Sequence, residues 1–438
     1  MKRVVFIFVV VAACLGIYAQ TAREEISANK YLAASNYLDY NRQFSQEVLT
    51  PAPKGYEPFY LSHYGRHGSR WLVGNEEYTN PLEILRDAYK HGKLTELGVQ
   101  TLKKLEEFYP CTIDRVGDLT TVGERQHHGI GKRMTENFPE IFKSKNVLID
   151  ARSTIVPRCI LSMVAECEEF SAANSTARIH NDVSESLQYY LNQPREGVVN
   201  ENGKRSPNIY REYQLKYTHP ERLMRALFND QQWVNNNIKA GSLMNQLFNL
   251  AANMQSHDTD IEFLSLFTEE EIYDQWRIQN IGWYLDFANA PQTNNVMTFS
   301  QKNLLKNIIL TADTVTQTQA TLRFGHEVCV MPLACLLELN NCNVSVDNLD
   351  ELDKSWQNYK IYPMACNIQL VFYKPKKGKS GDILVKALLN EREARMPVET
   401  ESFPYYKWED LRAYYLAKLK KFEDSSIKCP SCGKAVCN

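Results

Sequence analysis

Short apolar runs of strand length alternate with longer stretches in which apolar residues recur at helical spacing, and this alternation sets the plan of the chain. The first strong run, residues 59–62, follows the turn-forming Pro51-Ala52-Pro53-Lys54-Gly55 and predicts a core strand. Residues 81–91 and 95–109 predict two helices, the second with Leu97, Leu102, Leu105 and Phe108 on a helical period. Thr121 and Glu124 have the spacing of a capping box and predict a helix running towards 138. A second strand is expected over 146–152, after which Pro157 opens a helical stretch to 167. From about 190 to 300 helical periodicity dominates, over 212–227, 233–254 and, from a second capping box at Thr268 and Glu271, to 287. Alternation then resumes with a helix at 304–315, a strand at 320–324, a helix at 330–339, strands at 365–373 and 382–389, and a closing amphipathic helix at 407–422.

The pattern predicts an α/β fold whose core is interrupted by a mainly α-helical cap. Residues 50–155 supply the first part of the core, 156–300 the cap and 301–425 the second part of the core, with a leader at 1–19 and a cysteine-containing tail at 426–438. A chain of 438 residues with 44% apolar and 23% charged residues has ordinary globular composition, which argues against disorder and against a coiled coil. It carries no internal repeat, low-complexity tract or glycine-rich dinucleotide fingerprint.

The leader changes the picture of where the protein works. Met1-Lys2-Arg3 followed by an apolar run to Tyr18 reads as an export signal. Two processing routes are written in it: cleavage after Ala19, or use of Val11-Ala12-Ala13-Cys14 as a lipobox that leaves a lipid anchor on Cys14. The expected location is the periplasm or the medium, or the outer membrane for a lipoprotein. The whole chain has a net charge of −2, and loss of Lys2 and Arg3 with the leader makes it −4. A nucleic-acid partner is not indicated, so any site for an anion must be a local cluster of cations. Eleven cysteines in an exported chain allow disulfides, and Cys429, Cys432 and Cys437 form the one spaced group. A zinc site would need a fourth ligand that the tail lacks, so a disulfide or an unliganded tail is the expected state.

Candidate chemistry concentrates where the first strand ends. Arg66-His67-Gly68-Ser69-Arg70 brings two guanidinium forks, a histidine and a glycine able to approach a ligand closely. Arg152 and Gly325-His326-Glu327 stand at two later strand ends, and open α/β sheets bind ligands beyond the carboxyl ends of their strands. An anion-binding catalytic site is one reading of these residues. Surface arginines around a structural histidine are the other. His63 is expected to be structural, and His127 and His128, adjacent on a helix, to make a solvated or hydrogen-bonded face rather than a metal site.

With these motifs together, the chain resembles the histidine acid phosphatases, in the branch that includes the multiple inositol polyphosphate phosphatases and phytases. Arg66-His67-Gly68-Ser69-Arg70 is similar to the family's Arg-His-Gly-x-Arg signature, and His326-Glu327 to its distal His-Asp or His-Ala-Glu element. Leu94 to Gly98, Leu119 to Gly123 and Arg152-Ser153-Thr154 are similar to landmarks between them, and the likeness spans about residues 55–420. In this chain the acid follows His326 directly, and Val328 stands where the His-Ala-Glu acid would be. The resemblance implies a phosphoglycerate-mutase-like α/β core and hydrolysis of phosphate monoesters, chiefly inositol phosphates. It also implies His67 as nucleophile, Glu327 as proton donor, and Arg66, Arg70, Arg152 and His326 as phosphate ligands. No cofactor and no metal enter that mechanism. Arg195, Lys204, Arg205 and Arg211 are candidates to meet further phosphates. A broad acid or sugar-phosphate phosphatase and a non-catalytic binder of phosphate esters are the alternatives.

Overall fold

The computed structural model describes residues 21–43, 47–192 and 207–426. The leader with Cys14, the loop residues Arg195, Lys204 and Arg205, and the tail cysteines lie outside the described residues.

One sheet organises the molecule. Its strands are β1 (Tyr56–Arg66), β2 (Leu148–Ser153), β3 (Arg178–Val183), β4 (Ala320–Gly325), β5 (Asn367–Pro375), β6 (Leu384–Leu389), β7 (Arg392–Ala394) and β8 (Tyr406–Lys407). They run in the order β3-β2-β4-β1-β5-β6-β7, with β8 against β6. β3, β2, β4 and β1 are mutually parallel, whereas β5 pairs antiparallel with β1 and β6 with β5. β4 is buried along its whole length, as expected of a central parallel strand covered on both faces. The parallel register places Arg66 beside Gly325 and Ser153 beside Phe324, so the ends of β1, β4 and β2 finish at one level.

Helices cover both faces. Thr121–Asn137 and Pro157–Ala173 pack on one, their apolar sides meeting Ile149, Leu322 and Phe324. Lys302–Thr314, Glu327–Leu336 and Trp408–Ser426 pack on the other, around Leu333, Leu336, Phe372 and Trp408. A third apolar cluster holds no sheet residue. It joins the N-terminal segment 22–38 to Glu76–Lys90, Glu96–Phe108, Ala240–Asn253 and the Glu269–Phe287 helix, with Trp276 at its centre.

Several expectations change in detail. β3 has no periodicity to announce it, because every residue is exposed or half-buried at the sheet edge. The stretch read as one helix over 212–227 is two, Pro207–Tyr217 and Glu221–Leu227, separated at Pro220. The first capping box does not form: Thr120, not Thr121, is the N-cap and accepts from the Gly123 amide, and Gly123 has no side chain to return the bond. The second forms as read, with Thr268 and Glu271 bonding reciprocally. The seven cysteines among the described residues are free thiols, so the disulfides allowed by the composition do not occur there. No helix of the described residues is long and apolar enough to cross a membrane.

Candidate active site

The end of β1 turns sharply against the start of the Thr121–Asn137 helix. A Cβ on Gly68 would lie 2.3 Å from the Gly123 carbonyl oxygen, so neither position tolerates a side chain without moving backbone. The turn is pinned on all sides. The Gly68 amide donates to Ser162 Oγ at 3.1 Å, the Ser69 amide to Gln126 Oε1 at 2.8 Å, and the Thr120 amide and hydroxyl both reach the Ser69 carbonyl. His67 is locked by its amide to the Gly325 carbonyl at 2.9 Å and by its own carbonyl, which accepts from Ala365.

The His67 ring is fully buried, and its Nδ1 lies 2.8 Å from the Gly68 carbonyl oxygen. A carbonyl can only accept, so Nδ1 carries the proton and Nε2 keeps its lone pair. Nε2 has no hydrogen-bond partner and faces Glu327 Oε2 at 3.6 Å. Burial lowers the His67 pKa, Glu327 opposes this, and the guanidinium groups of Arg66 and Arg158 reinforce it. The net result is well below the ordinary range. His67 is therefore a neutral, oriented imidazole at neutral and mildly acidic pH.

Three arginines surround it. Arg66 is fully buried: Nη1 donates to the carbonyls of Asn36 at 2.6 Å and Tyr362 at 3.2 Å, and Nε lies 3.0 Å from Glu327 Oε2. Its Nη2 is left without a partner. Arg70 donates to the Trp71 carbonyl at 2.9 Å, sits over the Tyr37 ring at 5.4 Å, and leaves Nε unpaired. The third is Arg158, in the first turn of the Pro157–Ala173 helix, held by the Gly117 carbonyl at 3.2 Å. Its charge acts on His67, His326 and Glu327, and burial with the neighbouring Arg66 and Arg70 pulls its own pKa down.

Arg152, expected in this clamp, is not part of it. It points from β2 towards Asp150, with Nη2 at 2.6 Å from Oδ2, and towards Tyr190, with Nη1 at 3.0 Å from the hydroxyl. Alternation along the strand explains the error: Ser153 and Ala151 are buried, and Arg152 faces the other way with Asp150. The sequence does carry a signal for Arg158. An arginine directly after a helix-opening proline, past a strand end, lies in the first turn, where the positive helix end also faces the site.

His326 and Glu327 begin the Glu327–Leu336 helix as N-cap and first residue. The His326 ring meets that of His67 edge-on at 5.5 Å, and Thr154 Oγ1 lies 3.4 Å from its Nε2. Burial depresses its pKa to about 4, so it too is neutral near pH 7. For Glu327, burial raises the pKa most, but Arg66, His67 and Arg70 together outweigh it and hold the carboxyl well below the usual range. Of the six residues expected at the site, His67, Arg66, Arg70, His326 and Glu327 are brought together.

The ligating atoms of His67, His326 and Glu327 lie within 4.8 Å of one another, the spacing of a three-ligand metal site. Three guanidinium groups around them oppose a dication and favour an anion. Among the other histidines, His63 and His127 lie behind the site. His63 is buried against Phe324 with its pKa lowered to about 3, chiefly by burial. His127 is buried rather than solvated and meets Glu166 at 2.7 Å, while His128 meets Glu169 at 2.8 Å.

No family model and no curated protein matches the sequence. Solved structures do. The chain superposes on the multiple inositol polyphosphate phosphatase of Bifidobacterium longum in complex with inositol hexasulfate with a TM-score of 0.66 at 17% identity, over 92% of this chain and 98% of that one. The phytase from D. castellii gives 0.64 at 15% identity over 89% and 85%, and the Hafnia alvei phytase 0.53 at 11% over 84% and 98%. The chain thus has the fold of the histidine acid phosphatases.

Proposed function

We propose that the protein is a phosphomonoesterase that works through a phosphohistidine on His67, with inositol polyphosphates as its preferred substrates. The observation that carries this reading is a neutral imidazole with Nε2 bare, opposite a carboxylate and inside a cage of Arg66, Arg70 and Arg158.

Each step uses a group already in place. The arginines and the starting ends of the Pro157–Ala173 and Glu327–Leu336 helices receive the phosphoryl oxygens, whose charge spreads in the transition state. His67 Nε2 attacks phosphorus and the bond to the leaving oxygen breaks, giving phosphohistidine. Glu327 delivers a proton to the leaving alkoxide. In the free protein this carboxyl is ionised, so its proton arrives with the substrate: a phosphate monoanion brings one, and the added negative charge raises the Glu327 pKa. Water then attacks the phosphohistidine, Glu327 takes its proton, and phosphate leaves with His67 restored. Acid–base help of this kind is worth about 10²- to 10⁴-fold.

Inositol polyphosphates rest on the fold shared with a phosphatase crystallised with inositol hexasulfate. Phosphate release from phytate, glucose 1-phosphate and p-nitrophenyl phosphate tests the substrate. A kcat/KM for phytate at or below that for the simple esters would replace this reading with a general acid phosphatase. Export is part of the same proposal, supported by the basic start and apolar run of the leader. Cell fractionation that left the full-length chain in the cytosol would contradict it.

A further inference from the structure

Arg66 and His67 are gripped by two segments outside the sheet, residues 35–38 of the N-terminal arm and residues 358–365 before β5. The Asn36 and Tyr362 carbonyls both accept from Arg66 Nη1, and the Ala365 amide donates to the His67 carbonyl. Each segment holds one residue in a backbone conformation that favours glycine. Ser35 has φ 57° and ψ −120°, and Ala365 has φ 56°. A residue with a side chain stays there only where its surroundings over-determine it, and such strain gathers at functional sites. Ser35 directly precedes Asn36 and Tyr37, so its strained turn decides where the Asn36 carbonyl meets Arg66 and where the Tyr37 ring meets Arg70.

One buried side chain holds both carbonyls. Asn358 donates from Nδ2 to Ser35 Oγ at 2.7 Å, accepts at Oδ1 from Trp276 Nε1 at 2.9 Å, and donates its amide to Asn280 Oδ1 at 2.9 Å. Its own carbonyl takes the amides of Ile361 at 3.0 Å and Tyr362 at 3.3 Å. The segment with the Tyr362 carbonyl therefore starts on Asn358, and the turn with the Asn36 carbonyl hangs from it. The Leu38 carbonyl, which accepts from the Met364 amide at 2.9 Å, ties the two segments a second time. Trp276 and Asn280 lie one turn apart on the Glu269–Phe287 helix, so the anchor is fixed to that helix and not to the sheet. The consequence falls on Arg66. A guanidinium presents its donors as a rigid fork: with Nη1 held by two carbonyls and Nε facing Glu327, the direction of the bare Nη2 is decided.

We propose that Ser35 and Asn358 are positioning residues that aim Arg66 Nη2 at the phosphoryl group. Both are fully buried, so they act through Arg66 and not on the ligand. Their role rests on reading the cage around His67 as a phosphoryl site, and anion binding and turnover there can be measured separately.

The test measures three quantities in wild type, Ser35→Ala, Ser35→Gly and Asn358→Ala: the thermal midpoint, the Kd of inorganic phosphate by calorimetry, and kcat for phytate. Ser35→Ala keeps the strained backbone and loses the anchor, whereas Ser35→Gly loses both, so the glycine variant should melt no lower than the alanine variant. Both are expected to bind phosphate at least about tenfold more weakly than wild type and to lower kcat at least about tenfold. Asn358→Ala should lose as much or more, and the Ser35 pair decides the matter if it does not fold. No phosphate binding by wild type, or folded Ser35 variants with wild-type phosphate affinity, overturns the positioning role. So does an affinity that is lost in Ser35→Ala and recovered in Ser35→Gly, because the anchor would then serve stability alone. Phosphate binding that the Ser35 variants weaken, in a wild type that releases no phosphate from phytate, would uphold the positioning role and reject the phosphomonoesterase.

Discussion

Arg66 and Arg152 both end a parallel strand, both lie beside a carboxylate, and both leave Nε without a hydrogen bond, yet they serve different ends. Arg152 spends its two terminal nitrogens on Asp150 and Tyr190, and its side chain remains partly exposed. Arg66 is fully buried, keeps Nη2 bare, and shares its carboxylate with a neutral histidine. A partly exposed ion pair at a strand end is structure. One that is buried and joined by Arg70 and Arg158 is a place prepared for an anion. Position in the sequence does not separate the two; burial and neighbouring charge do.

Removing the carboxylate from the Arg66 side sharpens this contrast most. Glu327→Gln should lower kcat/KM, which reports the phosphoryl-transfer step, by about 10²- to 10⁴-fold on inositol or alkyl phosphates and much less on p-nitrophenyl phosphate, whose leaving group needs no proton. Equal losses on both esters, in steady-state kinetics, would mean that Glu327 positions Arg66 rather than supplying the proton.

The arginines themselves come next. Arg158→Ala should cost about 10²- to 10³-fold in kcat, the usual effect of losing one transition-state donor. Arg152→Ala should leave kcat within about threefold and lower the thermal midpoint slightly, because a partly exposed pair contributes about 0–1 kcal/mol. The reverse ranking would put Arg152 back in the clamp.

The same comparison shows what could be read before the structure. β1, β2 and β4 announce themselves by apolar runs, and the turn after β1 by its glycine and arginines, so the position of His67 was legible. What the sequence concealed was direction. Arg152 looks like a ligand because it ends a strand, but a period of two residues turns it towards Asp150, and only the register of β2 against β4 reveals this. Arg158 was hidden in a helix start. Glu327 was legible as a motif, but its place as the first residue of a helix, opposite Nε2, came from the helix beginning three residues earlier than its apolar pattern suggests.

Ionisation gives a smaller and more gradual effect. With Glu327 ionised in the free protein, kcat/KM should decline above about pH 6, where a phosphate monoester loses its second proton, by about tenfold per pH unit. His67 needs no deprotonation on the acid side, because it is already neutral. A pH–rate profile still flat at pH 9 would remove the proton from the mechanism.

Stability should respond in the opposite sense. Burial is the largest influence lowering His63 to about 3 and His257 and His326 to about 4, whereas in the unfolded chain each binds a proton near pH 6.5. Below 6.5 the unfolded state therefore holds more protons. The stability these groups contribute is complete above that value and is lost as pH falls from about 6.5 to 4 for His257 and His326 and to about 3 for His63, by up to about 1.4 kcal/mol per pH unit for each group. Thermal melts across this range should show the midpoint falling with pH, and a flat midpoint would contradict the buried neutral state.

The central claim is covalent catalysis by His67. Its most direct measurement is mass spectrometry of protein quenched in alkali during turnover of phytate, since a phosphohistidine survives base. The account predicts one phosphoryl group on the peptide that contains His67, accumulating further in Glu327→Gln with p-nitrophenyl phosphate, where the first step still runs and the water step is slowed. In His67→Ala the label should vanish together with about 10⁴-fold or more of the activity. A phosphoryl group on another residue, or undiminished turnover by His67→Ala, would contradict it.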